Sequence, residues 1–131
     1  MTVSFRIPYP ASEAGRKEWN RRFGLNSYWS GKHWTKRRED AEYWHFLVRA
    51  EMDRQGVRKR PFDRPVSIAM YFNDRLDCSN HAIYFKLTED AMKGRVIRDD
   101  SRKWVKGCEV YFHDEDCIRV EVREYRGKEK I

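Results

Sequence analysis

Residues 66–105 read VSIAMYFNDRLDCSNHAIYFKLTEDAMKGRVIRDDSRKWV, and their pattern decides the fold. In the apolar run Val66 to Phe72, Val66, Ile68, Met70 and Phe72 face one way and Ser67, Ala69 and Tyr71 the other. Both sides tolerate burial, which predicts a central strand covered by helices. Asn73, Asp74 and Arg75 end it. Ile83, Tyr84, Leu87 and Ala91 then recur at helical spacing, with Asp77, Ser79 or Asn80 able to cap the helix and Gly94 to stop it. Ser79, Lys86 and Asp90 fall on a neighbouring polar stripe, and Val96 and Ile97 lead into Asp99 and Asp100. An acidic turn thus precedes the helix and a carboxylate pair follows it.

Aspartate at a cap or in a turn is ordinary. Two adjacent carboxylates are less so, because like charges repel by up to ~1 kcal/mol at 4 Å in water and by more where water is scarce. A hard divalent cation relieves that repulsion. Mg²⁺ takes one or two carboxylates, keeps several waters and shares phosphate oxygens, so the pair points towards phosphate chemistry.

The rest of the chain sets the context. Its 131 residues predict one domain, and a formal net charge of +7 with 28 Lys and Arg favours a polyanionic partner, nucleic acid before a membrane surface. No apolar run approaches the ~20 residues of a spanning helix, and Met1 to Pro10 is a short alternating segment rather than a leader, so a cytoplasmic protein is expected. Cys78, Cys108 and Cys117 are odd in number and lack zinc-like pairing, which predicts reduced thiols. No Gly-x-Ser-x-Gly elbow and no phosphate-cradling Gly-rich loop is present, which argues against nucleophilic serine catalysis and a nucleotide cofactor.

In chain order, Val3 to Ile7 alternates as a strand stopped by Pro8 and Pro10, and Ala11 to Arg22 predicts a short solvated helix. Phe23 to Trp34 is loop-like and interleaves rings with cations. Its tryptophans are expected to anchor it, while Lys32, Lys36, Arg37 and Arg38 are expected to reach phosphates. Thr35 can cap a helix that carries Trp44, Leu47 and Val48 on a core stripe and ends near Gly56. Val57 to Arg64, with Lys59 and Arg60, is a basic connection. Val105 to Phe112 and Ile118 to Val122 predict a hairpin around His113-Asp114-Glu115-Asp116, a hydrated turn, with Ile118, Val120 and Val122 inward. Residues 126–131 read as a frayed tail.

The segment Leu76-Asp77-Cys78-Ser79-Asn80, then Lys86, Leu87-Thr88-Glu89-Asp90-Ala91-Met92, Gly94 and Val96-Ile97-Arg98-Asp99-Asp100-Ser101, resembles the core of the RusA family of Holliday junction resolvases. Phe5-Arg6-Ile7-Pro8-Tyr9-Pro10 is similar to that family's first strand, and Leu25 to Trp34 more weakly to a segment of divergent, phage-type relatives. The resemblance implies a small homodimeric, Mg²⁺-dependent endonuclease, with Mn²⁺ as a substitute, that nicks four-way DNA junctions in recombination and repair. On the matching positions it implies Asp77, Lys86 and Asp100 as catalytic residues. Asn80 matches the asparagine of the acidic turn. Ser79 stands where the family has a second metal-binding Asp, and Lys86 lies about one helical turn farther from Asn80 than is usual. Ser79 is then expected to hold a metal-bound water, with Asp74, Asp90 or Asp99 supplying the missing carboxylate.

The combined expectation is an α+β domain of residues 1–131, RusA-like, with a small mixed sheet of about four or five strands and two main helices on one face. The acidic turn and Asp99-Asp100 are expected to meet at one edge. Metal ligands are then drawn from Asp77, Ser79, Asp90, Asp99 and Asp100, and branched DNA is gripped by Lys32, Lys36, Arg37, Arg38, Lys59, Arg60, Arg75 and Asn80. The competing expectation is a basic DNA-binding module that kept the fold and lost its metal.

Overall fold

The structure, a computed structural model, describes residues 1–26 and 33–127. Strand β1 (Thr2–Pro8) buries Phe5 and Ile7, its inward alternate positions. Helix α1 (Glu13–Phe23) starts where the Ser12 hydroxyl accepts the Gly15 N–H at 3.0 Å. Trp19 and Phe23, four apart on one stripe, are buried. The helix is therefore anchored rather than solvated all round, because two large aromatics outweigh the charged residues between them.

Helix α2 (Trp34–Arg54) is capped by His33, whose Nδ1 accepts the Thr35 N–H at 3.1 Å. Thr35 is thus the donor at this cap and not its acceptor. Trp44, Val48 and Met52 form the buried stripe, Leu47 packs beside it, and Gly56 takes up a left-handed φ of 69° just past the end. Trp34 is 65% exposed, so it does not anchor the preceding segment; Trp29, Lys32 and the rest of residues 27–32 lie outside the described residues.

Strand β2 (Val66–Phe72) is followed by a 3₁₀ turn (Cys78–His81), helix α3 (Ala82–Met92), strand β3 (Val105–Phe112) and strand β4 (Cys117–Glu124). Together they make an α+β fold in which three helices pack on one four-stranded mixed sheet of order β1-β4-β2-β3. The third helix is α1, the short helix expected over Ala11 to Arg22, which packs on the sheet beside the two main ones.

The expected hairpin is not formed. β3 pairs in parallel with β2, while β4 pairs antiparallel with both β2 and β1, so β2 lies between the two strands that the 113–116 turn joins. Two inter-strand spacings come to about 10 Å, which four extended residues cross comfortably. The turn arches over the end of β2, where the His113 N–H bonds the Phe72 carbonyl at 2.9 Å and Asn73 Nδ2 donates to the Glu115 carbonyl at 3.0 Å. Being the most apolar strand, β2 takes the central place.

Ile68, Met70, Val120, Val122, Phe5 and Ile7 make the inner face of the sheet. Above it, Trp44 packs against Trp19 and Phe23, each at 4.8 Å between ring centroids, and against Tyr84 at 5.2 Å. Its indole N–H donates to Thr88 Oγ1 at 2.9 Å. The opposite face carries Tyr71, Tyr111, Arg119, Glu121 and Arg123, and among the described residues no helix covers it, so the described helices bury β2 from one side only. Among the described residues no helix is long and apolar enough to cross a membrane.

Trp44→Ala is expected to lower the unfolding free energy by about 3–5 kcal/mol in urea titrations, because it opens a cavity among Trp19, Phe23 and Tyr84, while the Thr88 hydroxyl keeps its bond to the Tyr84 carbonyl. Phe46, 75% exposed on the same helix, is the control. Phe46→Ala should change stability by less than about 0.5 kcal/mol.

Candidate functional site

Helix α3 turns Tyr84, Leu87, Thr88 and Ala91 into the core, which leaves Lys86 and Asp90 near the surface. Gly94, at φ 80°, reverses the chain after the helix, and the Gly94 N–H donates to the Ile97 carbonyl at 2.8 Å. This tight turn returns Asp100 to the helix it has just left. Glu89, Asp90 and Asp100 each place a carboxylate oxygen within 4.8 Å of the others.

Two ammonium groups sit among these oxygens. Lys86 Nζ hydrogen-bonds Asp100 and lies 3.3 Å from Asp90 Oδ1 and 3.4 Å from Glu89 Oε1. Lys93 Nζ lies 3.1 Å from Asp100 Oδ2 and 3.3 Å from Asp90 Oδ1. The bonds from Lys86 and then Lys93 hold the Asp100 carboxyl well below the usual carboxylate range. Asp100 in turn raises both lysines, so they remain charged throughout the physiological range. Burial pushes the Glu89 carboxyl up, against the pull of Lys86.

Asp90 Oδ1 is buried and, although both ammoniums are near, none meets it with hydrogen-bond geometry. On the facing side, His45 of α2 keeps a buried Nε2 without a hydrogen-bond partner. Burial, and then Arg49, lower the affinity of His45 for a proton, while Asp90 acts the other way. An all-oxygen donor set suits a hard cation such as Mg²⁺ or Mn²⁺, which would compete with the two ammonium groups for the Asp90 and Asp100 oxygens.

The acidic turn lies at the other end of α3. Asp77 precedes the 3₁₀ turn with its carboxylate exposed and uninvolved in capping, while its backbone carbonyl accepts the Asn80 N–H at 2.9 Å. No side chain among Asp77, Ser79 and Asn80 caps α3, because the intervening 3₁₀ turn moves the helix start to Ala82. Ser79 is exposed, and Asn80 Oδ1 accepts the Asn26 N–H at 3.2 Å. The Cys78 thiol reaches the Val110 carbonyl at 3.5 Å, and on the same face of β3 Cys108 lies close enough to Glu89 and Lys86 to feel both charges. Edge strand β3 therefore runs beside both acidic spots, which stay at separate positions along it. Asp99 is exposed and is not among the three clustered carboxylates, so the structure separates the adjacent pair.

The turn is fixed from beneath by a buried pair. His81 Nε2 lies 2.9 Å from Asp74 and Nδ1 lies 3.0 Å from the Cys78 carbonyl, so both ring nitrogens face acceptors. Burial alone would lower the His81 pKa, but these bonds outweigh it and raise it above 6.5.

Among the expected DNA contacts, Lys36, Lys59, Arg60 and Arg75 are exposed, Arg37 is half-buried, and Arg38 pairs with Glu42 at 3.2 Å. α2 and α3 run in the same direction, since Trp44 meets Tyr84 and Asp53 meets Arg95, so Lys36 to Arg38 lie towards the Asp77 end of α3. Arg75 lines a cleft with Tyr9, Arg16, Lys17 and Asp74, whereas Lys59 and Arg60 follow the far end of α2. The sequence reading missed Glu89, Lys93 and Lys17. The first two carry a signal: Glu89 and Lys93 are three and seven positions after Lys86, the spacing that shares a helix face. Compared with models of protein families and with curated proteins, the chain matches none.

The Asp74–His81 pair carries a pH signature. With its folded pKa raised, His81 contributes stability in full below about pH 6.5, and that contribution is lost as pH rises through the folded value. Unfolding titrations across that range should show a decline of at most about 1.4 kcal/mol per pH unit. The decline should be smaller in Asp74→Asn.

Proposed function

We propose that this chain is a metal-dependent endodeoxyribonuclease acting on branched DNA, of the RusA type, and that Glu89, Asp90 and Asp100 rather than the Asp99-Asp100 pair form its cation cradle. The observation that carries the reading is the cluster of three carboxylates, Glu89, Asp90 and Asp100, gathered within 4.8 Å of one another on a body of net charge +7. The motif order from Asp77 to Asp100 and its resemblance to junction resolvases add the choice of substrate, a four-way junction cut by a homodimer.

Glu89, Asp90 and Asp100 would hold Mg²⁺, or Mn²⁺ in its place. When bound, such a cation supplies Lewis acidity at the scissile phosphate and lowers the pKa of an attacking water. Lys86, held charged by Asp100, is a poor base and a good electrostatic partner for phosphoryl oxygens. Glu89 would ligate as its carboxylate, so cation binding would have to overcome the burial that pushes its carboxyl up. Asp77, on the exposed turn at the other end of α3, sits where it would orient the strand entering along β3. Lys36, Arg37, Arg38 and Arg75 hold the phosphate backbone without reading sequence, so branch geometry sets selectivity.

One observation favours the second reading, a DNA-binding module without catalysis. Lys86 and Lys93 already neutralise Asp100, and Ser79 offers no charge at the turn. In that case the lysines stand permanently where a metal would act.

The nuclease should nick a synthetic four-way junction in Mg²⁺, and Asp100→Asn should slow nicking by at least about 100-fold with junction binding retained. Tight binding by the wild type with no nicks in Mg²⁺ or Mn²⁺ would establish the binding module instead. In either case junction affinity should fall steeply between low and moderate salt, and a flat dependence would refute the phosphate-contact model.

A further inference from the structure

The turn between β3 and β4 carries a second group of donor atoms of different chemistry. His113, Glu115 and Cys117 each offer one nitrogen, oxygen or sulfur within 4.8 Å of the others. The Nδ1 of His113 lies 3.6 Å from Glu115 Oε2, and Cys117 Sγ lies 3.9 Å from the same oxygen. For a tetrahedral zinc ion, bond lengths near 2.0–2.3 Å give donor separations of about 3.4 Å for N and O and about 3.6 Å for S and O. Both observed separations are longer than good hydrogen bonds and within about 0.3 Å of those edges.

The atoms around the group favour ligation. His113 Nε2 lies 2.5 Å from the Cys117 carbonyl oxygen, which can only accept. Nε2 therefore has a partner for an N–H, which leaves Nδ1, on the Glu115 side of the ring, as the nitrogen placed to ligate a metal. Arg6 Nη2 lies 3.6 Å from Glu115 Oε1, the oxygen not shared with the other two donors, as an outer partner of a ligating carboxylate does. The backbone is set in advance from three sides: His113 is bonded to Phe72, Glu115 to Asn73, and Cys117 pairs with Pro8 in the sheet. His113 and Cys117 are largely enclosed, while Glu115 is open to solvent and gives a cation its way in.

We infer that His113, Glu115 and Cys117 form a zinc site that clips the crossover turn over the end of β2, with its fourth position open to water. The donor set of imidazole, carboxylate and thiolate selects Zn²⁺ over Mg²⁺, which the all-oxygen cluster on α3 prefers. On binding, the Cys117 thiol gives its proton to solvent and the sulfur ligates as thiolate. This site stands apart from the α3 cluster and does not rest on the nuclease reading.

The test uses the full chain carrying Cys78→Ser and Cys108→Ser, so that Cys117 is its only thiol, titrated with Co²⁺ after metal removal. One equivalent should bring up a thiolate-to-cobalt charge-transfer band and the visible bands of tetrahedral cobalt, and equimolar Zn²⁺ should remove both. Cys117→Ser should abolish the charge-transfer band. Glu115→Gln, at an exposed side chain that leaves the fold intact by circular dichroism, should weaken Co²⁺ binding by at least about tenfold. Asp100→Asn should leave the bands unchanged. A folded parent that shows no charge-transfer band overturns the site, as does Co²⁺ affinity unaltered by Glu115→Gln.

Discussion

The indole of Trp44, packed on Tyr84 and bonded to the Thr88 hydroxyl, joins the two long helices and sets the rotation of α3 about its own axis. With Tyr84 and Thr88 held inward, the helical repeat leaves no freedom for where Lys86, Glu89 and Asp90 emerge. Lys86, Glu89 and Asp90 inherit their direction from one aromatic contact. Position then follows from the reversal at Gly94, which returns Asp100 alongside the helix within a single short turn.

The electrostatic consequence is a small acidic pocket on a cationic protein. In such a setting a cluster of carboxylates stays ionised only when positive charge is supplied from somewhere. Lys86 and Lys93 supply it here, and the low proton affinity of Asp100 is the measure of how closely they do so. The proposed metal chemistry and the proposed loss of it differ only in whether a divalent ion competes with these two ammoniums. Polyanion binding is common to both, since it depends on the exposed cations and not on the pocket.

Much of the fold was legible. The alternation in Val66 to Phe72, the inward set Ile118, Val120 and Val122, and the helical stripes around Trp44 and Leu87 are local periodicities, and all appear where the chain placed them. Misreadings came where local pattern and global pairing diverge. Two strands joined by four residues look like a hairpin, yet β2 has the stronger claim to a central position and displaces that pairing. Ala11 to Arg22 looked solvated because its charges outnumber its one ring, Trp19, although that ring and Phe23 just after it are buried and dominate the energetics. Within the α3 site, Lys86, Asp90 and Asp100 were visible as individual residues, whereas Glu89 and Lys93 were overlooked beside them.

The sequence by itself determined the class of fold, the basic character that favours a polyanionic partner, and the helix that bears the polar stripe, because hydrophobic period and net charge are properties of the chain. Only the tertiary structure decided which carboxylates gather. Asp100 turns back to Glu89 and Asp90 while its neighbour Asp99 points to solvent and Asp77 stays at the far end of α3. It likewise drew His113, Glu115 and Cys117 together over the end of β2. Distances between side chains depend on turns and strand order, which are settled by packing across the whole domain and not by the residues adjacent in sequence.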